Sequence, residues 1–172
     1  MKKVSTLLLL ALVSFNLSAQ KMSKDKKAVV ASVEKHKENL IKISDSIWAL
    51  AETAFEESIS SELLADYAEQ NGMTVTRGVA DIPTAFVATY GSGKPVISVL
   101  GEFDALPGLS QNTVPTKDPR IDGAPGHGCG HNMFGAASLG AAIAIKEQIE
   151  AGNIKGTVKF FGTPAEEKFF GK

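Results

Sequence analysis

The sequence predicts an α/β fold, and three observations support this prediction. Residues 23–54 and 60–70 carry apolar side chains every three to four positions, which is the helical period. Short apolar or alternating segments between residues 73 and 161 are typical of strands. Acidic residues follow two of these strands, at the position where open α/β sheets bind their ligands.

The composition is that of a globular protein. The chain has 172 residues, of which 44% are hydrophobic and 22% are charged. This length and balance correspond to one domain. The net charge is −1, and no basic patch or long run of like charge indicates a nucleic-acid partner.

The N-terminal residues 1–19 have the pattern of a signal peptide. Lys2 and Lys3 give a positive start, residues 7–13 form an apolar run, and Ala19 precedes the expected cleavage site. The run is too short to span a membrane, although a retained anchor is the alternative. We therefore expect an exported protein, periplasmic or secreted, without membrane contact after signal removal. Residues 20–172 then form part of one domain.

Three helices are predicted. The first covers residues 23–54, where His36 is interpreted as a helix-surface histidine rather than a ligand. The second covers residues 60–70 and stops at Gly72. The third follows residues 126–132, and its many alanines and apolar residues indicate burial against the sheet.

Four strands are predicted, over residues 73–79, 84–90, 96–100 and 157–161. The segment 96–100 is almost wholly apolar, which predicts a central strand buried on both faces. The Gly-Ser-Gly-Lys sequence at residues 91–94 predicts a hairpin turn between the second and third strands.

Residues 126–132 place two imidazoles and the only thiol of the chain at alternating positions between glycines. In an extended backbone, His127, Cys129 and His131 would point to the same side. Thiolate and imidazole are ligands that Zn²⁺ and similar ions prefer, so the segment predicts a metal site. The alternative is a glycine-rich helix entry with a buried, inert cysteine. A bound metal would also protect a lone thiol in an oxidising compartment.

Acidic residues emerge where two apolar strands end. Glu102 and Asp104 follow one strand, and Glu166 and Glu167 follow another. We expect both pairs and the His/Cys segment to converge on one edge of the sheet, next to the long polar connection 109–125. Adjacent glutamates point in different directions, so one could bind a metal while the other accepts a proton from water. This arrangement suits hydrolysis of an amide or ester.

Three segments together, residues 101–111, 126–135 and 162–167, resemble the metal-dependent amidohydrolases related to aminoacylase and zinc carboxypeptidases. The similarity is greatest to the branch that contains aminobenzoyl-glutamate hydrolase and the plant auxin-conjugate hydrolases. It extends in matching order from about residue 47 to residue 167. The resemblance implies a three-layer α/β/α, zinc-peptidase-like catalytic domain, of which this chain would be the N-terminal part.

The resemblance also implies a ligand set for a divalent metal. Cys129 corresponds to a thiolate that bridges two metal ions, His131 to the imidazole ligand beside it, and Glu167 to a carboxylate ligand. Two ions are implied, with zinc or manganese first and cobalt as a further option.

Two further residues receive catalytic roles from the resemblance. Glu166 corresponds to the general base, and Asp104 to an aspartate that orients a ligand. His127 precedes the ligand pair without being a ligand itself. Glu102 stands where carboxypeptidase-like relatives have a ligand histidine, so that assignment does not transfer.

The implied reaction is hydrolysis of the amide bond of N-acyl or N-aroyl amino acids or small peptides. Family members are more than twice as long and carry further histidine ligands and a small dimerisation domain, so the full-length form is expected to be a homodimer and this chain alone inactive. One alternative is a catalytically inactive metal-binding or interaction fragment. A thiol-dependent hydrolase that uses Cys129 and His131 is a weaker alternative, because it would not need the glutamate pair.

Overall fold

The computed structural model describes residues 22–168. The predicted signal peptide lies outside these residues. Within them, none of the helices has both the length and the apolar character that a membrane span requires.

Three α-helices form the helical part of the described chain: α1 (Lys24–Leu50), α2 (Ser58–Gln70) and α3 (His131–Glu150). The first begins at Ser23, whose side-chain oxygen accepts a hydrogen bond from the backbone N–H of Lys26. It ends four residues earlier than predicted, because Ala51 adopts a left-handed conformation with φ of 46°.

The four predicted strands form one sheet: β1 (Thr74–Arg77), β2 (Phe86–Ser92), β3 (Val96–Glu102) and β4 (Gly156–Thr163). Their order is β1-β2-β4-β3. Strands β3 and β4 run parallel to each other, and β2 runs antiparallel to β4. The connection from β3 to β4 includes α3, as a parallel crossover requires.

Two strand predictions are wrong. Gly91 and Ser92 do not form a hairpin turn between neighbouring strands; they belong to β2 and pair with β4, which lies between β2 and β3. Strand β3 is also not buried on both faces, because it is the edge strand of the described sheet. Its side chains Val96, Ile97 and Leu100 are 51%, 48% and 47% exposed.

The core lies between the helices and one face of the sheet, which confirms the α/β class. In the described residues, α2 and α3 pack on the same sheet face, and α1 packs on the outer side of α3. Gly140 permits this contact, because a Cβ there would lie 2.6 Å from Cδ1 of Leu40. The central buried side chains are Leu64, Phe86, Leu139, Ile143, Val158 and Phe160.

The interpretation of His36 as a surface histidine is wrong. The residue is only 7% exposed. Its Nδ1 lies 2.7 Å from the hydroxyl of Tyr67, and its Nε2 lies 3.0 Å from Oε1 of Glu147. These contacts join α1 to α2 and α3, so His36 belongs to the packing between the helices.

Candidate metal centre

The candidate site lies where two parallel strands end and α3 begins. In the register of β3 and β4, Glu102 pairs with Thr163. The chain after β4 turns through Pro164 into a short 3-10 helix that starts at Glu166. His131 is the first residue of α3, so the topology brings three separate segments to one edge of the sheet.

His131 is the centre of this cluster. Its ring is buried, with Nδ1 2.9 Å from Oδ1 of Asp104 and Nε2 3.2 Å from Oε2 of Glu102. Burial acts against protonation of the ring, but the hydrogen bond and charge of Asp104 and the charge of Glu102 outweigh it. The pKa of His131 is therefore raised. A metal cation at this position would take the place of that proton.

Asp104 holds two parts of the cluster together. It is 1% exposed, and its Oδ2 accepts a hydrogen bond of 2.9 Å from the backbone N–H of Glu167. Burial raises the pKa of Asp104, but its hydrogen bonds to His131 and Glu167 have the larger combined effect and lower it. Asp104 therefore stays ionised and positions both neighbours. These two hydrogen bonds are the contacts that the predicted orienting role of Asp104 requires.

The structure brings the three predicted metal ligands together. The ligand atoms of Cys129, His131 and Glu167 lie within 4.8 Å of one another. Glu102, His131 and Glu166 form a second group of the same size, so the donors make one continuous cluster around His131. Their role as metal ligands remains a prediction.

The chemistry of these donors fits a divalent cation. Sulfur, imidazole nitrogen and carboxylate oxygen are the donor types that zinc and related ions take. In the described chain, Oε1 of Glu167 is buried and has no hydrogen-bond partner. The ion-pair contact of this oxygen with Nδ1 of His131, at 3.8 Å, is longer than a hydrogen bond. A buried carboxylate oxygen without a hydrogen bond is costly, and a cation would compensate it.

The same carboxylates affect the pKa of the Cys129 thiol. The residue is exposed, yet partial desolvation and the charges of Glu167 and Glu166 raise its pKa. The thiol is thus held protonated unless a positive charge binds nearby. This environment does not favour a thiolate nucleophile, whereas a metal would deprotonate the thiol directly.

The prediction that His127, Cys129 and His131 share one side of an extended backbone is wrong. Gly130 has φ of +81°, and its N–H bonds to the carbonyl oxygen of His127, so the segment turns. The Nε2 of His127 lies 3.0 Å from the carbonyl oxygen of Ile47. Burial lowers the pKa of His127, so the neutral ring donates this hydrogen bond away from the cluster.

Two glutamates near the site were not predicted as site residues. The family resemblance gives Glu102 no ligand role, yet its Oε2 lies 3.2 Å from Nε2 of His131. Glu57 is 0% exposed, and its carboxylate accepts hydrogen bonds from the N–H of Ala165 and the hydroxyl of Thr84. Burial raises the pKa of Glu57. It supports the turn that precedes Glu166, and the only signal for it in the sequence is that the family resemblance, which begins at about residue 47, includes its segment.

Comparisons with known proteins agree with this geometry. Residues 99–171 match the Peptidase family M20/M25/M40. The chain is 48% identical over 142 residues to a subunit of the p-aminobenzoyl-glutamate hydrolase of Escherichia coli, covering 82% of this chain and 30% of that protein. It is 30% identical over 130 residues to thermostable carboxypeptidase 1 of Saccharolobus solfataricus, covering 74% of this chain and 32% of that protein.

Two solved structures share the fold. A dinuclear metal binding peptidase from the M20 family of Bacillus subtilis superposes with a TM-score of 0.63 at 27% identity, over 78% of this chain and 38% of that chain. The aminobenzoyl-glutamate utilization protein from Klebsiella pneumoniae superposes with a TM-score of 0.53 at 15% identity, over 80% and 39% of the two chains.

The sheet with a cluster of thiol, imidazole and carboxylates at its carboxyl edge defines a domain of the metallopeptidase class. The chain belongs to the peptidase family M20/M25/M40. This confirms the family resemblance seen in the sequence. The chain spans about a third of the length of the curated relatives that it matches.

Proposed function

We propose that the protein to which this chain belongs hydrolyses the amide bond of N-acyl or N-aroyl amino acids. Substrates similar to p-aminobenzoyl-glutamate or small peptides fit best, given the 48% identity to part of a p-aminobenzoyl-glutamate hydrolase. The observation that carries the proposal is the cluster around His131, in which donors from three segments lie within 4.8 Å of one another.

The cation site would use residues of this chain together with the further histidine ligands that the family resemblance implies. Cys129, His131 and Glu167 would hold the metal. Zinc or manganese suits this donor set, and cobalt is a further option. When bound, a divalent ion would polarise the substrate carbonyl and lower the pKa of a water molecule.

Glu166 would transfer the proton, and Asp104 would position the ligands. Glu166, whose Oε2 lies 3.9 Å from Nε2 of His131, would take a proton from the attacking water and pass it to the leaving nitrogen. Asp104 keeps His131 and Glu167 in place through its two hydrogen bonds.

The test is an amidase assay on the purified full-length protein. We expect release of p-aminobenzoate from p-aminobenzoyl-glutamate, loss of this activity after chelation, and recovery when zinc or manganese is returned. Benzoyl and acetyl amino acids define the acyl preference in the same assay. Activity that survives complete removal of metal would contradict the proposal.

A second candidate is a metal-binding or interaction fragment without catalysis. The observation that favours it is that the cluster around His131 already contains five donor residues in the described part of the chain. Metal binding by the 172-residue chain, combined with no turnover by the full-length protein, would support this alternative.

We also propose that the protein is exported and that its full-length form is a homodimer. Export rests on the sequence of residues 1–19, and the dimer on the family resemblance. Mass spectrometry of the mature N-terminus tests the first proposal, because cleavage after Ala19 leaves Gln20 as the first residue. Light scattering of the full-length protein tests the second.

A further inference from the structure

One short segment between α1 and α2 contacts both strand ends that carry the metal cluster. The backbone carbonyl oxygen of Glu52 accepts a hydrogen bond of 2.8 Å from the N–H of Ala105, just after β3. Oε1 of Glu57 accepts a hydrogen bond of 2.8 Å from the N–H of Ala165, just after β4. Residues 52–57, here called the clamp segment, therefore connect the two strand ends.

The clamp segment is itself fixed against the start of α2. Oε1 of Glu52 accepts a hydrogen bond from the N–H of Ile59, and Oε2 accepts two from the N–H and the hydroxyl of Ser60. Within the segment, the N–H of Glu56 donates to the carbonyl oxygen of Thr53. These contacts do not involve the metal cluster, so the clamp segment can act as a fixed support for it.

Ala165 depends on that support. Its φ is +56°, in the left-handed region that residues with a side chain rarely adopt. Such a conformation costs about 1–3 kcal/mol and persists only where the surroundings hold it. Ala165 is 0% exposed, so water cannot replace Glu57 as the acceptor of its N–H. A buried donor without an acceptor costs a further 1–3 kcal/mol or so, which would favour another conformation of the turn.

The conformation of Ala165 sets the position of the two glutamates that follow it. Oε2 of Glu166 lies 3.9 Å from Nε2 of His131. The N–H of Glu167 donates to Oδ2 of Asp104 at 2.9 Å. A rotation of the backbone at Ala165 would displace both glutamates, and a displacement of about 1 Å at a reacting group can lower the rate about 100-fold.

We propose that Glu57 is a positioning residue for the hydrolysis, which through Ala165 sets where Glu166 lies relative to the cluster around His131. The inference rests on the proposed function. Glu57 is 0% exposed, so it acts through the turn rather than on the substrate. What the turn requires from residue 57 is an acceptor oxygen, and this requirement distinguishes the role from simple packing.

The kinetic test compares two substitutions in the full-length protein. Glu57→Met keeps the length of the side chain without an acceptor oxygen, so it should lower kcat about 100-fold and change KM less than about twofold. Glu57→Gln keeps a carbonyl oxygen that can accept the N–H of Ala165, so it should retain most of kcat. Ser61→Ala is the control, because it removes a buried hydrogen bond to the carbonyl oxygen of Thr84 without contact with the turn.

A second substitution tests whether Glu57 acts through the conformation of Ala165. Glycine adopts a positive φ without strain. Ala165→Gly combined with Glu57→Met should therefore raise kcat about fivefold or more above that of Glu57→Met alone, since the left-handed conformation costs other residues about 1–2 kcal/mol. Equal kcat values in the single and double variants would contradict the role of the turn.

Hydrogen exchange, followed by mass spectrometry on a peptide that contains residues 162–168, tests the same contact without turnover. Exchange at Ala165 should be about tenfold faster in Glu57→Met than in the wild type, and close to wild type in Glu57→Gln. Exchange that depends on Glu57 in this way, with no hydrolysis by the wild type, would contradict the proposed function and support Glu57 as the residue that positions the turn. Hydrolysis with unchanged exchange in Glu57→Met would overturn the inference and leave the proposed function standing.

Two further results would overturn the inference. One is a loss of kcat in Glu57→Gln as large as in Glu57→Met, because the charge of Glu57 rather than its acceptor oxygen would then matter. The other concerns the wild type alone and applies even if circular dichroism shows that Glu57→Met does not fold. The N–H of Ala165 should exchange as slowly as those of β4, and fast exchange there would mean that Glu57 does not hold the turn.

Discussion

The carboxylate of Asp104 lies 2.9 Å from Nδ1 of His131, and both side chains are buried. A carboxylate on one ring nitrogen fixes the ring orientation and leaves Nε2 for a metal or a proton. Because Asp104 also accepts the N–H of Glu167, this one carboxylate connects two predicted ligands from separate segments. The geometry of the cluster therefore depends on Asp104.

Asp104→Asn should weaken metal binding about 10- to 100-fold, the usual cost of losing a group that orients a ligand. The substitution keeps the shape of the side chain but removes its charge and one of its two acceptor oxygens. His131 and the N–H of Glu167 then no longer each have an acceptor oxygen. Competition with a chromophoric chelator measures the affinity. Asp45→Asn, on the exposed surface of α1, is the control, and equal affinities in the two variants would disprove the orienting role of Asp104.

Glu166→Gln should lower kcat of the full-length enzyme by about 10²- to 10⁴-fold, the usual contribution of a general base. Metal content should stay nearly unchanged, because Glu166 is assigned to proton transfer rather than to the ligand set. Steady-state kinetics and elemental analysis measure the two quantities. Glu38→Gln removes an exposed carboxylate on α1 and should leave both unchanged. Near-normal turnover of Glu166→Gln would show that another group is the base.

Glu147 should make the fold sensitive to acid. Burial raises its pKa, but hydrogen bonds from Lys35, Ser32 and His36 outweigh burial and lower the pKa to about 2 from an ordinary value of 4.5. A lowered folded-state pKa stabilises the fold above the unfolded value and loses that contribution as the pH falls toward the folded value. The loss should therefore occur between about pH 4.5 and pH 2, and amount to at most about 3 kcal/mol.

Urea unfolding between about pH 6 and about pH 2.5 measures this contribution. Glu147→Gln should be less stable than the wild type near neutral pH and should lose less stability on acidification. Glu38→Gln, which removes an exposed carboxylate, should follow the wild-type profile. Parallel pH profiles for wild type and Glu147→Gln would show that the Glu147 contacts add nothing to stability.

Gly135→Ala should move α3 away from β3. A Cβ at this position would lie 2.7 Å from the carbonyl oxygen of Glu102 and 3.3 Å from Cδ1 of Leu64. Relief of this overlap should cost about 1–3 kcal/mol of unfolding free energy and should weaken metal binding by separating His131 from Glu102. Chemical denaturation and metal competition test both effects, with the exposed Ala137→Ser as control. Full stability and affinity in Gly135→Ala would contradict the close packing.

Local patterns in the sequence were sufficient to predict the helices and the strand segments. The convergence of the acidic strand ends and the His/Cys segment also followed from a general rule, because the carboxyl ends of parallel strands share one edge of a sheet. The structure places His131 between residues from both strand ends, as that rule requires.

The pairing of the strands did not follow from local patterns. The glycines at residues 91–93 suggested a hairpin, but β4 lies between β2 and β3 and comes from a segment more than fifty residues further along the chain. The turn at Gly130 also does not follow from the local sequence pattern. Glycine permits both extended and left-handed conformations, and the start of α3 at His131 decides between them.

The central claim is that the sulfur of Cys129 and the ring nitrogen of His131, from one segment, bind one cation together with the carboxylate of Glu167 from another. Titration with Co²⁺ tests it most directly, because a thiolate ligand gives cobalt a charge-transfer absorption band that oxygen and nitrogen ligands do not give. We predict that the band forms in the wild-type chain, disappears in Cys129→Ser and weakens in Glu167→Gln. Cobalt binding with no such band, or with the same spectrum in Cys129→Ser, would contradict the account.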